Sequence, residues 1–170
     1  MSDNQHKAPE STGSGRPAWI WRVVDEEAVA KLAQHFARAM QTPCVVYLKG
    51  DLGAGKTTFA RAYIHSLGFV GYVKSPSYGL LETYDAGGQK ILHLDLYRIE
   101  DPEELEFLAI RDLFDAHSVL LVEWPDRGEK YLPAPDLVLE FSEKDEVRFI
   151  SCKQASARGS KLLEKVLQPV

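Results

Sequence analysis

The residues with the clearest capacity for chemistry lie in one loop, Gly50-Asp51-Leu52-Gly53-Ala54-Gly55-Lys56-Thr57. They fit the pattern G-x-x-x-x-G-K-[ST] at every fixed position. Glycines allow tight turns, so successive N–H groups can converge on an anion at the positive end of the following helix. Lys56 adds a point charge for the outer phosphates, and the Thr57 hydroxyl is a ligand for Mg²⁺. The residues expected to bind nucleotide are Asp51, Gly53, Ala54, Gly55, Lys56, Thr57 and Thr58.

The identity of the nucleotide base can be inferred by elimination. Guanine-specific proteins with such a phosphate-binding loop (P-loop) commonly carry an N-K-x-D motif. The only asparagine of this chain is Asn4, close to the N-terminus. The sequence therefore favours ATP, with Mg²⁺, over GTP.

Two acids are placed to hold the metal. Asp95 and Glu123 each close a short apolar run that is typical of a buried strand. The carboxyl ends of such strands are where α/β proteins bind ligands, and a P-loop needs an acid there to hold Mg²⁺ or a water. The alternative is that each acid caps the next loop or pairs with Arg98 or Arg127. The sequence leaves open which acid, if either, acts as a base.

Two further residues could support this site. Ser77, in Ser75-Pro76-Ser77, offers a hydroxyl that could sense the γ-phosphate or ligate Mg²⁺, as switch loops do. An ordinary turn stabilised by a serine hydroxyl is the alternative. His93 alternates with apolar neighbours on its strand, and we expect it to pack in the core or beside the site.

The elements that must position these residues follow from periodicity. Strands are predicted at 20–24, 44–48, 79–84, 90–96, 118–123, 136–141 and 146–152. Helices are predicted from Asp25 to about Met40, from Thr57 to Leu67, from Asp101-Pro102, and at 160–167. Residues 79–84 and 90–96 should form a hairpin with a loop of four or five residues. The predicted fold is α/β, a three-layer P-loop NTPase-like domain with a mixed parallel and antiparallel sheet flanked by helices.

Length, charge and composition limit the possible domain organisation, ligands and location of the protein. The 170 residues predict a disordered tail over 1–18 and a single domain over 19–170. A net charge of −5 argues against a chain that grips nucleic acid by itself, since phosphate neutralisation needs surplus Lys and Arg. Cys44 and Cys152 lack the spacing of a zinc site. No apolar run suits a membrane span and the N-terminus is polar, so we expect a soluble cytoplasmic protein.

Several stretches, in order along the chain, resemble the TsaE (YjeE) family of bacterial tRNA threonylcarbamoyladenosine biosynthesis. Beyond the P-loop they include the motifs H-x-D-L-Y-R and E-W-P-x-x-G, which are more specific than the loop alone. Together they cover most of residues 20–140. The stretches are Tyr47–Thr58, Val73–Tyr78, His93–Arg98, Asp101–Leu108, Ile110–Phe114, Val122–Gly128 and Leu132-Pro133.

This resemblance implies an ATPase that does not itself transfer the threonylcarbamoyl group. It implies binding to the TsaB–TsaD heterodimer, slow ATP hydrolysis alone, and tRNA contacted indirectly through the complex. By position, Lys56 would hold phosphate, and Thr57, Asp95 and Glu123 would surround Mg²⁺. Ser77 stands where the family usually has Thr, so the hydroxyl is kept and the methyl is lost.

Two other functions use the same loop. A small-molecule kinase is one, although such kinases typically close an Arg-rich lid, and the segment after the predicted hairpin is acidic instead. A nucleotide-switched binding module with negligible turnover is the other. Measurement of phosphate release with and without partners separates the module from an ATPase.

Overall fold

The computed structural model describes the backbone of residues 10–11 and 17–166 and the side chains of residues 19–166. Within the predicted tail, Glu10–Ser11 (β1) pairs antiparallel with Pro17–Ala18 (β2). The rest of residues 1–18 lies outside the described residues. A disordered tail and the domain bounds therefore stay predictions.

A seven-stranded mixed sheet forms the centre of the protein, in the order β3-β9-β8-β4-β7-β6-β5. Strands β8, β4, β7 and β6 run parallel to their neighbours in this series, while both edges are antiparallel. The strands are β3 (Ile20–Val23), β4 (Cys44–Gly50), β5 (Leu81–Ala86), β6 (Gln89–Asp95), β7 (Ser118–Glu123), β8 (Leu137–Lys144) and β9 (Val147–Ala155).

Helices cover both faces of the sheet, as predicted. The helices are α1 (Glu26–Ala39), α2 (Lys56–Ser66), α3 (Glu104–Phe107), α4 (Ile110–Leu113) and α5 (Ala157–Val166), with 3-10 turns at Pro125–Arg127 and Glu129–Tyr131. Phe36 of α1, Phe59 of α2 and Leu163 of α5 belong to one apolar cluster. Leu105 of α3 and Ile110 of α4 belong to a second cluster. The mixed-sheet α/β fold is thus confirmed.

Strand β4 shows why the sheet needs cover on both sides. Successive side chains of a strand point to opposite faces. Cys44, Val46 and Leu48 accordingly enter the first cluster, while Val45 and Tyr47 enter the second. A run that is apolar at every position is typical of such a doubly covered strand. With both faces covered, β4 is open to a ligand at its carboxyl end, where the P-loop follows.

Local signals set the helix that precedes β4. Asp25 caps α1 by accepting a hydrogen bond from the Ala28 N–H at 2.8 Å. Val29, Leu32, Ala33, Phe36 and Ala37 are the buried residues of this helix. Their spacing follows the 3.6-residue period, so α1 packs one stripe against the sheet.

Two local predictions were wrong. The hairpin between β5 and β6 turns over two residues, Gly87 and Gly88, with φ of 58° and 75°. A loop of four or five was expected, but two residues at positive φ match the twist of the strands and let them pair up to the turn. Pro102 does not begin a helix, because α3 starts at Glu104 after a turn.

Candidate functional site

The P-loop joins the end of β4 to the start of α2. Gly50, Gly53 and Gly55 have φ of 142°, 78° and 107°, a region that other residues rarely adopt. A Cβ at Gly50 would also lie 2.4 Å from the backbone oxygen of Phe141 on β8. Glycine is therefore required at Gly50 by both conformation and space. Gly50 is the register partner of Phe141, and the loop ends with the α2 N–H groups at the carboxyl edge of the sheet.

Lys56, the first residue of α2, is buried with 4% of its surface exposed. Its Nζ donates hydrogen bonds to the backbone oxygens of Gly50 at 2.6 Å and Asp51 at 2.7 Å. The same ammonium lies 4.4 Å from the ring centroid of Trp124. The lysine is thus held inside the curve of the loop, with an aromatic ring on one side.

Charges around Lys56 oppose the effect of its burial. Burial lowers the pKa of Lys56, while the carboxylates of Glu123, Asp95 and Asp51 raise it. Among these acids, Glu123 and Asp95 are the predicted metal ligands, and Asp51 is a predicted nucleotide-binding residue. Such a site suits a ligand that carries both negative charge and a metal ion, because the ammonium can pair with the negative charge and the carboxylates with the metal.

Thr57 and Glu123 meet directly across the site. The Thr57 hydroxyl lies 2.9 Å from both Oε1 and Oε2 of Glu123 and donates to that carboxylate. On its other side Glu123 contacts the Nε2 of His93 at 2.9 Å. Glu123 is 2% exposed and His93 is fully buried. The carboxylate at the end of β7 is therefore held between the P-loop helix and β6.

Asp95 lies beside Glu123 because β6 and β7 are parallel neighbours in which these two residues are register partners. The Oδ1 of Asp95 accepts a hydrogen bond from the Tyr97 N–H at 2.9 Å. Burial, chiefly, raises the pKa of Asp95, and the Glu123 carboxylate raises it further, while the Tyr97 N–H lowers it. Two acids thus end adjacent strands at the same edge.

The oxygen atoms of Thr57, Asp95 and Glu123 form a donor set that suits Mg²⁺. This cation prefers hard oxygen ligands and usually takes one or two carboxylates, with waters and substrate phosphates completing its shell. Within residues 19–166, no three His, Cys, Asp or Glu side chains converge on a site that could hold a metal unaided. The residues present therefore fit a cation that is shared with nucleotide phosphates.

A cavity of about 510 Å³ opens at this edge of the sheet. That volume is within the range of small-molecule and cofactor sites. Among the predicted residues, the lining includes Gly53, Gly55, Lys56, Thr57, Thr58, Ser77, Asp95 and Glu123. Asp51 and Ala54 lie in the loop, where the Ala54 N–H donates to the Asp51 oxygen at 3.2 Å, and they do not line the cavity.

Other lining residues were not among the predicted site residues. They include Glu26 and Val29 of α1 and Arg148 of β9. Strand β9 lies two strands from β4 on the side away from the acids, a distance of about 10 Å at normal strand spacing. No local pattern marks these residues, because they come from elements that pairing alone brings together.

Two arginines stack on aromatic rings beside the acids. The Arg98 guanidinium lies 4.3 Å from the Tyr78 ring centroid, and Arg98 also lines the cavity. The Arg127 guanidinium lies 5.4 Å from the Tyr97 centroid and 5.8 Å from that of Trp124. A sequence signal existed, since each arginine follows one of the two acids within a few residues. The structure gives both guanidinium groups aromatic neighbours.

Comparison with known proteins agrees with this arrangement. The sequence model of the family described as "Threonylcarbamoyl adenosine biosynthesis protein TsaE" matches residues 23–150. The chain belongs to the TsaE family. The match includes every predicted site residue of this chain, from Asp51 to Glu123.

Proteins from Haemophilus influenzae and Bacillus subtilis are among the relatives named "tRNA threonylcarbamoyladenosine biosynthesis protein TsaE". The protein from Haemophilus influenzae is 39% identical over 146 residues, which cover 83% of this chain and 92% of the relative. The protein from Bacillus subtilis is 36% identical over 150 residues, covering 86% of this chain and 92% of the relative. This TsaE-family chain is therefore involved in tRNA threonylcarbamoyladenosine biosynthesis.

A solved structure is also similar to this TsaE-family chain. The crystal structure of Bacillus subtilis YdiB matches with a TM-score of 0.73 and 30% sequence identity. The match covers 88% of this chain and 93% of YdiB. Across residues 19–166, none of the helices combines the length and apolar character needed to cross a membrane.

Proposed function

We propose that this chain binds ATP with Mg²⁺ at the P-loop and hydrolyses it, as a subunit that supports threonylcarbamoylation of the adenosine next to the anticodon in tRNA. The observation that carries the proposal is the contact of the Thr57 hydroxyl with the Glu123 carboxylate, 2.9 Å to each oxygen. It joins the P-loop helix to an acid at the end of a neighbouring strand, beside the buried ammonium of Lys56.

Each residue of the site has a part in this proposal. The Lys56 ammonium and the N–H groups at the start of α2 bind the phosphates and offset charge that develops on the transferring phosphoryl group. Thr57, Asp95 and Glu123 hold Mg²⁺, and the two acids orient a water through it or directly. Bound Mg²⁺ supplies positive charge to the phosphate oxygens. Ser77 reaches the same cavity and offers its hydroxyl to the outer phosphate.

The residues that line the cavity also support a particular orientation of the bound nucleotide. Lys56 and the acids occupy the side of β4 toward β7 and β6, so the phosphates belong there. Glu26, Val29 and Arg148 line the cavity from α1 and from β9, which lies on the other side of β4. We place the base and ribose at that end. The lack of an N-K-x-D motif, with Asn4 the sole asparagine, favours adenine.

The partners follow from charge and family. A chain of net charge −5 has no surplus of cations with which to hold tRNA by itself. We propose that its direct ligands are ATP and the TsaB–TsaD heterodimer, and that the complex holds the tRNA. Because the substrate of the pathway is tRNA, we place the protein in the cytoplasm.

Reconstitution tests the proposal. ATP binding and phosphate release are measured for the chain alone, with TsaB–TsaD, and with tRNA added. We expect slow release by the chain alone, faster release in the complex, and more than one round of tRNA modification per complex only when the chain and ATP are present. Binding of ATP without any release would identify a nucleotide-switched module. Multiple rounds of modification without this chain would reject its role in turnover.

A further inference from the structure

His93 is a buried polar residue whose part in the site follows from its contacts. Its imidazole is fully buried, and its Nε2 lies 2.9 Å from Oε1 of Glu123. His93 and Asp95 are two residues apart on β6, so they point to the same face of the sheet. Glu123 is the register partner of Asp95 on β7, and Leu121 is the partner of His93. His93 therefore reaches Glu123 diagonally across one face.

The acceptor on Glu123 identifies the ring nitrogen of His93 that donates in this hydrogen bond. Glu123 Oε1 is a carboxylate oxygen that accepts, so Nε2 of His93 is the donor. The other nitrogen, Nδ1, is buried without a hydrogen-bond partner. The contact therefore assigns Nε2 as the ring nitrogen that donates to Glu123.

Glu123 is bonded from two opposite sides. The Thr57 hydroxyl contacts both carboxylate oxygens from the P-loop, and His93 contacts Oε1 from the core. A carboxylate with only the Thr57 contact could rotate about its terminal torsion, which is broad in glutamate. The His93 bond removes that freedom.

We propose that His93 is a positioning residue, which holds the Glu123 carboxylate toward Thr57 and thereby sets the affinity of the site for Mg²⁺ with nucleotide. The role is that of a hydrogen-bond partner behind a metal ligand, where substitution typically lowers metal affinity about 10- to 100-fold. The inference rests on the proposed function, because it assumes that Glu123 meets a metal-bound nucleotide.

Two substitutions at the same position test the role. His93→Leu removes the donor at similar volume, and His93→Gln keeps an N–H near the position of Nε2. ATP affinity is measured by calorimetry in EDTA and over a Mg²⁺ titration. We expect His93→Leu to lower the apparent Mg²⁺ affinity at least about tenfold while ATP affinity in EDTA stays within about twofold. His93→Gln should recover most of the loss. Equal losses in both variants, or no loss in His93→Leu, would overturn the proposal.

The bond itself is tested without nucleotide. Nitrogen-15 NMR of the wild-type imidazole should show a proton on Nε2, the nitrogen that faces Glu123. The unfolding free energies of His93→Leu, Glu123→Gln and the double variant should be non-additive, since the two residues share one hydrogen bond. The absence of a proton on Nε2, or additive energies, would overturn the positioning role. If instead these results hold and ATP does not bind, the proposed function fails while the His93–Glu123 bond stands.

Discussion

Thr57 and Glu123, 66 residues apart in the chain, are joined by a hydroxyl that lies 2.9 Å from both carboxylate oxygens. Thr57 is in the first turn of α2 and Glu123 is the last residue of β7. Parallel pairing of β4 with β7 places Leu48 opposite Glu123, so the P-loop leaves its strand next to this acid. The contact thus follows from sheet register and not from proximity in sequence.

The first prediction concerns the Thr57 hydroxyl. Thr57→Val should lower the apparent Mg²⁺ affinity of the ATP complex about 10- to 100-fold, since an oxygen ligand and a contact of Glu123 are lost together. Thr57→Ser is the matched control, because it keeps the hydroxyl and loses only the methyl. The measurement is ATP affinity over a Mg²⁺ titration. Equal Mg²⁺ dependence in the two variants would contradict the metal role of Thr57.

The second prediction concerns Lys56. Lys56→Ala should reduce phosphate release by at least about 100-fold, because the phosphates lose the cation fixed inside the loop. Lys49→Ala is the control, since Lys49 pairs with Asp126 at 2.5 Å and does not line the cavity. Phosphate release is measured in the presence of TsaB–TsaD for both variants. Wild-type release by Lys56→Ala would reject the P-loop as the site.

The third prediction uses the pKa of Asp95. Burial raises this pKa above the ordinary value of 3.8, so the folded protein holds the proton more tightly than the unfolded chain. Ionisation of Asp95 therefore lowers the free energy of unfolding. This loss is absent below pH 3.8, grows as the pH rises toward the pKa of the folded state, and is complete above that pKa. Asp95→Asn cannot ionise. It should therefore be more stable than wild type at neutral pH, with the difference shrinking as pH falls.

Urea unfolding in EDTA at several pH values measures this difference. Asp115→Asn is a control of opposite sign, because the hydrogen bond from Lys90 holds the pKa of Asp115 well below its usual range. The stabilisation from Asp115 is present above 3.8 and is lost as pH falls through its folded pKa, so Asp115→Asn should be slightly less stable at neutral pH. A pH-independent difference for Asp95→Asn would contradict the effect of burial.

The fourth prediction concerns the end of the cavity assigned to the base. Arg148→Ala should weaken ATP binding by about fivefold, near 1 kcal/mol, while the affinity for inorganic tripolyphosphate stays unchanged. Arg22→Ala is the control, because Arg22 is exposed on neighbouring β3 and does not line the cavity. Competition binding against a fluorescent nucleotide measures both ligands. Equal losses for ATP and tripolyphosphate would place Arg148 at the phosphates instead.

Much of the site was predictable because its determinants are local. The glycines of the P-loop, Lys56 and Thr57 lie within eight consecutive residues that run from the end of β4 into the first turn of α2. Asp95 and Glu123 close apolar runs that form β6 and β7. The turn at Gly87-Gly88 is also encoded locally. The predicted loop was too long because β5 and β6 pair closer to the turn than the apolar pattern of the sequence reaches.

The sequence by itself determined the P-loop motif, the candidate metal ligands and the family, since residue type and spacing define each of them. Only the tertiary structure decided which strands lie beside β4. The order β9-β8-β4-β7-β6 brings Arg148 to one end of the cavity and His93 behind Glu123 at the other. Strand order and register depend on pairing between distant segments, which the alternation along one strand does not specify.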